Sequence, residues 1–174
     1  MATYDMTAKS TTGVDSNSIA ALPDARNMAY LVEGNLDIAK LVSAGTFSTV
    51  TNGDIFQVLE IPAGTVVIAA GAEVLTAFDG TSPTVDIDFA AGDDIVDGGD
   101  VTSTGYLASG TNGGANEPTA TTYTHFQSST DTIDVKVIAS SSDVAAGKIR
   151  VYAVCCDLNG VSDTADEVDR DQLA

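Results

Sequence analysis

The chain has 174 residues, 44% of them hydrophobic, and a formal net charge of −18 from 25 acids against 7 bases. Length and apolar content fit one domain with short appendages and exclude wholesale disorder. The charge lies far beyond the roughly 2–8 usual for a small domain; with no basic stripe, it argues against binding nucleic-acid phosphates or an anionic membrane surface.

With no Trp and only five Phe and five Tyr, small aliphatic side chains must fill the core. Thin layers of that kind suit sheet-on-sheet packing. The acid excess reads as a heavily solvated surface or, more sharply, as the complement of a basic partner.

Residues 1–27 form a polar N-terminal arm without sustained periodicity, in which Ser18–Leu22 offers one helical turn before Pro23. It reads as a loose terminus or as an arm that orders on a neighbouring subunit. It lacks the apolar stretch of a secretory signal, and no segment reaches the ~18 apolar residues of a membrane span. Residues 28–158 read as the β domain. Met28–Val32 is a short apolar run, punctuated by Glu33-Gly34-Asn35. Leu36–Val42 fits either a strand or two helical turns and is read as extended. Residues 43–53 read as loop.

The densest β signal runs from Asp54 to Phe89. In Asp54–Ile61, Ile55, Gln57, Leu59 and Ile61 alternate with Phe56, Val58 and Glu60. Both faces are mainly apolar, which predicts a strand covered on both sides or lying at a subunit contact, with Ile55, Phe56 and Val58 as interface residues. Pro62-Ala63-Gly64 is a turn. The β-branched run from Thr65 to Phe78, with Val74 and Leu75 as core candidates, is interrupted by Gly71, which predicts a bulge or bend. Asp79-Gly80 signals a turn. In Thr84–Phe89, Val85, Ile87 and Phe89 point inward and Asp86 and Asp88 outward onto a solvated face.

Residues 90–116 are dominated by Gly and Asp and read as a long excursion anchored by Ile95-Val96 and Tyr106-Leu107. A strand from Thr121 to Phe126, another over Asp131–Ala139 and a last one over Lys148–Leu158 follow. In the last, Ile149, Val151, Ala153 and Cys155 share one face and Arg150, Tyr152, Val154 and Cys156 the other. Asn159-Gly160 ends it, and residues 159–174 form an acidic C-terminal tail. Seven or eight short strands, turn signals between them and little helix predict an all-β antiparallel sandwich, jelly-roll-like, with extended terminal arms.

Chemistry-bearing patterns are few. One His, His125, provides no nucleophile–base pair with a third orienting group, and neither a G-x-S-x-G elbow nor a phosphate loop occurs. Adjacent Cys155 and Cys156 point to opposite faces of a strand and read as small hydrophobes in a chain made in a reducing cytoplasm. Catalytic residues and a resident cofactor are not expected. The one open possibility is Ca²⁺ at Asp93, Asp94, Asp97 and Asp100, where a Gly-bent loop offers hard oxygen donors, although the spacing is not that of an EF-hand. The plainer reading is a solvated turn.

The succession D-I-F-Q-V-L-E-I-P-A-G-T, a hydrophobic strand, an acidic D-x-D strand, a Gly/Asp loop, T-I-D-V-K-V and K-I-R-V-Y-A-V-C-C-D-L resembles small virion structural proteins of tailed bacteriophages, including those of marine and cyanobacterial hosts. It covers Asp54 to Leu158. The resemblance implies a capsid decoration or cement protein on the shell exterior, with the major capsid protein as partner and a homotrimeric state. A tail-fibre, knob or receptor-binding module, presenting residues 90–116 to the host, is the alternative it implies. A secreted carbohydrate-binding sandwich is disfavoured by the missing Trp and signal peptide.

Overall fold

Period-two alternation produces strands where it was expected. A computed structural model describes residues 3–5, 29–89, 95–108, 111–112, 125–139 and 144–158. The strands are β1 (Thr3–Asp5), β2 (Tyr30–Asp37), β3 (Ile55–Ile61), β4 (Thr65–Thr76), β5 (Thr84–Phe89), β6 (Val96–Asp100), β7 (Gly105–Ala108), β8 (Thr111–Asn112), β9 (His125–Gln127), β10 (Asp131–Ile138) and β11 (Lys148–Asp157), with one short helix, α1 (Ile38–Ser43), after β2. They form a β-sandwich of two mainly antiparallel sheets. One sheet has the order β1-β3-β10-β5-β6-β8; the other has the order β2-β11-β4-β7, with β9 also pairing β4. From β6 onward the chain changes sheet at every connection. Beyond Thr3–Asp5, the N-terminal arm with its Ser18–Leu22 turn lies outside the described residues, as do the acidic tail and most of Thr121–Phe126.

The core lies between the sheets. Its fully buried side chains include Phe56, Leu36, Ile38, Leu41, Leu59, Ile61, Ile87, Ile133 and Ile149. Burying an aliphatic side chain of this size contributes about 1.5–3 kcal/mol, so many small residues together replace the missing bulky aromatics.

Several local expectations are corrected. Leu36–Val42 is not one extended segment: β2 ends at Asp37, and α1 begins there. The Asp37 carboxylate accepts the Lys40 N–H at 3.2 Å as an N-cap, and Ile38 and Leu41, three residues apart, are buried on the helix's inner side. Glu33-Gly34-Asn35 does not interrupt β2. Gly34 stands where β2 crosses β3, and a Cβ there would lie 2.8 Å from the Val58 carbonyl oxygen. The first residues of the arm are part of a sheet, since β1 pairs in parallel with β3, Thr3 opposite Ile55. The excursion over 90–116 contains strands, because Val96 and Leu107 are buried anchors that hold β6 and β7 on opposite sheets.

The bulges are the most informative departure. In β3, Leu59 faces Ile133 and Gln57 faces Asp134, so Val58 is the extra residue. The phase of the strand reverses there: Phe56 and Val58 before the bulge, and Leu59 and Ile61 after it, all turn inward, while Gln57 and Glu60 turn outward. The apparent two-faced apolarity of this strand is therefore one apolar face with a phase shift. Gly71 is not a bulge; it pairs in register with Tyr152 and leaves room for that ring. The bulges of β4 fall at Ile68, between Val67 opposite Cys155 and Ala69 opposite Val154, and at Leu75, between Val74 opposite Ile149 and Thr76 opposite Lys148; the second turns Leu75, expected in the core, outward and leaves Val74 buried.

Candidate interaction surface

Among the described residues, no group of three or more His, Cys, Asp or Glu side chains is placed to hold a metal ion, and no helix is long and apolar enough to cross a membrane. Of the calcium candidates, Asp93 and Asp94 lie outside the described residues. Asp97 and Asp100 are exposed on β6. The Asp100 carboxylate accepts the Thr102 hydroxyl at 2.6 Å and the Thr102 N–H at 2.8 Å, and these bonds, the hydroxyl's first, hold its pKa below the usual carboxylate value. His125 is a packing residue: its ring stacks on Phe89, centroids 4.6 Å apart, and it is hydrogen-bonded to Gln127 at 2.9 Å.

The candidate interface residues separate. Phe56 and Val58 are both 0% exposed, packed within the chain's own core, where Phe47 also meets Phe56 at 5.7 Å between ring centroids. Ile55, half-buried, points outward opposite Lys136. The bulge accounts for Phe56 and Val58 within the chain's own core, and of the three only Ile55 stays on the outer face.

Asp86 and Asp88 take the outward phase of β5 as expected, yet they are only 3% and 5% exposed. The solvated-face reading is corrected here. Asp86 is held by the Lys136 ammonium at 3.0 Å and by the Gly98 N–H at 3.0 Å, which replace the water a buried carboxylate loses. This outer face of the six-stranded sheet is mainly polar: Glu60, Asp86, Asp88, Asp100 and Asp134 stand there with Lys136, beside half-buried Ile55 and Ile138. Burial, ahead of the Asp131 charge and against the Thr132 hydroxyl bond, pushes the Asp134 carboxyl above its ordinary pKa.

The outer face of the five-stranded sheet differs. At one end Arg150 lies between Glu33, at 3.5 Å, and Glu73, with Lys148 across from Asp37. Three acids against two bases leave that end near neutral. At the other end, cross-strand pairing aligns Leu31 with Val154 and Ala69, and Cys156 with Val66 and Phe126. The bulge adds Ile68 to this row. Leu31, Ile68 and Phe126 are 48%, 40% and 56% exposed. Contiguous apolar exposure of this kind marks contact surfaces.

The sequence predicts half of this surface. Alternation in β11 correctly places Val154 and Cys156 with Arg150 and Tyr152, and that face turns from charged to apolar along the strand. Ile68 is missed, because its orientation depends on register with β11, which no local pattern carries.

The chain matches no protein-family model and no curated protein. Its fold is similar to that of a chain from the capsid of Ralstonia phage GP4, with a TM-score of 0.54 and 13% identity over 80% of this chain and 90% of that one. A second likeness, to a chain of the acidic stable capsid structure of Helicobacter pylori bacteriophage KHP30, has a TM-score of 0.43 and 14% identity over 81% and 92%, and carries no argument. At 13% identity the first likeness shows a shared fold.

Proposed function

We propose that this chain is a structural protein of a phage virion and, within that class, a decoration or cement protein that binds the major capsid protein on the shell exterior as a homotrimer. The observation that carries the reading is the fold shared with a chain of a phage capsid over 80% of this chain and 90% of that one. The strand succession from Asp54 to Leu158 supports it independently. So does the apolar end of the outer five-stranded face, which offers a rigid sandwich an exposed patch to attach by.

In this role the protein acts by mass action. A ligand that binds only the assembled shell stabilises it by RT ln(1 + [L]/Kd), about 2.7 kcal/mol per site at a hundredfold excess over Kd. Repeated over many sites, modest affinity suffices. The charge of −18 keeps decorated particles apart, within the ~10 Å reach that 0.1 M salt leaves to surface charge.

The test is to locate the protein on purified particles with gold-labelled antibody. The reading expects label over the whole head surface and a lower temperature of shell disruption in particles lacking the protein. Label confined to tails or fibre tips would replace decoration by the fibre role, and absence of the protein from particles would overturn the virion reading.

A further inference from the structure

We infer that the edge of β3 is a strand-acceptor site and that, in the homotrimer, each copy's β1 fills the site of its neighbour, head to tail around the threefold axis. This rests on the trimer of the proposed function and names the device that links its subunits. β1 is the outermost strand of the six-stranded sheet and pairs with β3 alone, Thr3–Asp5 running parallel to Ile55–Gln57. The acceptor is firmly held. β3 is fixed by β10 on its other side and by its buried Phe56, Val58, Leu59 and Ile61. Its edge runs on to Ile61, and among the described residues no strand stands beside Val58–Ile61 on the side that β1 takes. The donor is weakly held: three backbone pairs at a chain terminus belong to the part of a fold that opens first.

The connection does not oblige β1 to pair with its own chain. β1 and β2 belong to different sheets and are joined by residues 6–29. β2 passes directly across β3 at Gly34, and stacked sheets lie about 10 Å apart, whereas a connection of this length spans up to about 80 Å when extended. A neighbour's acceptor edge is therefore within reach as well as its own. Exchange keeps the register and every backbone bond, and the entropic cost of closure grows only logarithmically with the length of the connection. What exchange adds is valency. A closure within one chain becomes a link between two, and three head-to-tail links close a ring.

Charge favours the arm as the part that crosses. Two surfaces of a chain with a net charge of −18 repel one another. Residues 1–27 carry Asp5, Asp15 and Asp24 against Lys9 and Arg26, so nearly all of the net charge lies on the rest of the chain. A near-neutral strand enters a neighbour's sheet where a second acidic face is repelled. Strand addition also needs no apolar patch, because the N–H and C=O groups of the edge supply the contact.

Thr3 and Ile55 stand opposite each other in the register, which makes the exchange measurable. A tagged full-length copy with Thr3→Cys and a larger fusion copy with Ile55→Cys are co-expressed, both carrying Cys156→Ser. The remaining Cys155 is buried, and its thiol, pushed up to about 12 by burial first, supplies little reactive thiolate at neutral pH. A short bismaleimide should join the two copies into a covalent heterodimer on a denaturing gel. The same tagged copy paired with Lys148→Cys, on the other sheet, should give at least tenfold less. A chain carrying both Thr3→Cys and Ile55→Cys should give a ladder that ends at the trimer. Deleting residues 1–5 should leave the circular dichroism spectrum unchanged and raise the concentration at which the trimer dissociates at least tenfold. Cross-links confined within single chains, in a protein that sediments as a trimer, overturn the exchange and leave the trimer standing. A trimer that dissociates at the same concentration without residues 1–5 does so equally. A ladder that ends at the dimer keeps the exchange and overturns the threefold ring. Sedimentation as a monomer with cross-links only within the chain overturns both.

Discussion

Val58 in β3 and Ile68 in β4 are each the extra residue of a bulge, and the two bulges act in opposite directions. The first gathers Phe56, Val58, Leu59 and Ile61 onto one inward face and leaves Gln57 and Glu60 outside. The second keeps Val67 and Ala70 inside and turns Ile68 and Ala69 out. The same device completes a core in one sheet and exposes apolar surface in the other. A bulge that buries explains itself through folding. The bulge at Ile68, like the second one in β4 at Leu75, instead adds apolar side chains to the outer face.

The sharpest way to break this contrast is to truncate the same residue type on its two sides. Phe56→Ala should cost about 3–5 kcal/mol, as expected for a fully enclosed ring, whereas Phe126→Ala should change stability by no more than about 0.5 kcal/mol; urea unfolding of both variants measures the difference. A cost above 2 kcal/mol at Phe126 would mean that its ring is covered within the free chain. Gly34→Ala should cost about 1–3 kcal/mol, because the added Cβ meets the Val58 carbonyl oxygen at the crossing of the sheets, and thermal unfolding reports it. On the polar face, Asp86→Ala should cost about 1–3 kcal/mol by removing the acceptor of the Gly98 N–H and the Asp86 carboxylate's ion pair with Lys136. Part of the Lys136 side chain reaches solvent, which softens the loss. The double variant with Lys136→Met should recover part of it.

The smallest effect concerns pH. The folded state binds a proton at Asp134 more tightly than the unfolded chain does, so this group's contribution to stability rises as pH falls through its raised folded pKa toward the ordinary value near 3.9. Asp134→Asn should therefore raise the unfolding midpoint slightly at pH 7 and give no advantage at pH 3. Asp100 has the opposite sign: its hydrogen bonds with Thr102 favour the folded state above the ordinary carboxylate pKa, and that contribution is lost as pH falls through the lowered value. Unfolding midpoints of the wild type and Asp134→Asn across pH 3–7 separate the two.

Alternation was enough to read the sandwich, the turn at Gly64 (φ +79°) and the inward set Val85, Ile87 and Phe89 from the chain alone. It failed where a side chain's direction depends on a partner strand. Val58 and Ile68 are ordinary strand residues until β10 and β11 pass beside them with one residue fewer. Asp86 looked solvated because the Lys136 and Gly98 groups that enclose it lie 50 and 12 residues away in sequence. The capping at Asp37 was a local signal, but a six-residue helix leaves too short a period to distinguish from a strand.

Reconstruction of intact particles by cryo-electron microscopy tests the central claim most directly, through the orientation of the sandwich. The account predicts copies on the head surface with the row Leu31, Val154, Ile68 and Phe126 against the shell and the face carrying Asp86 and Asp134 toward solvent. Copies seated with the acidic six-stranded face against the shell and the apolar row open to solvent would contradict it.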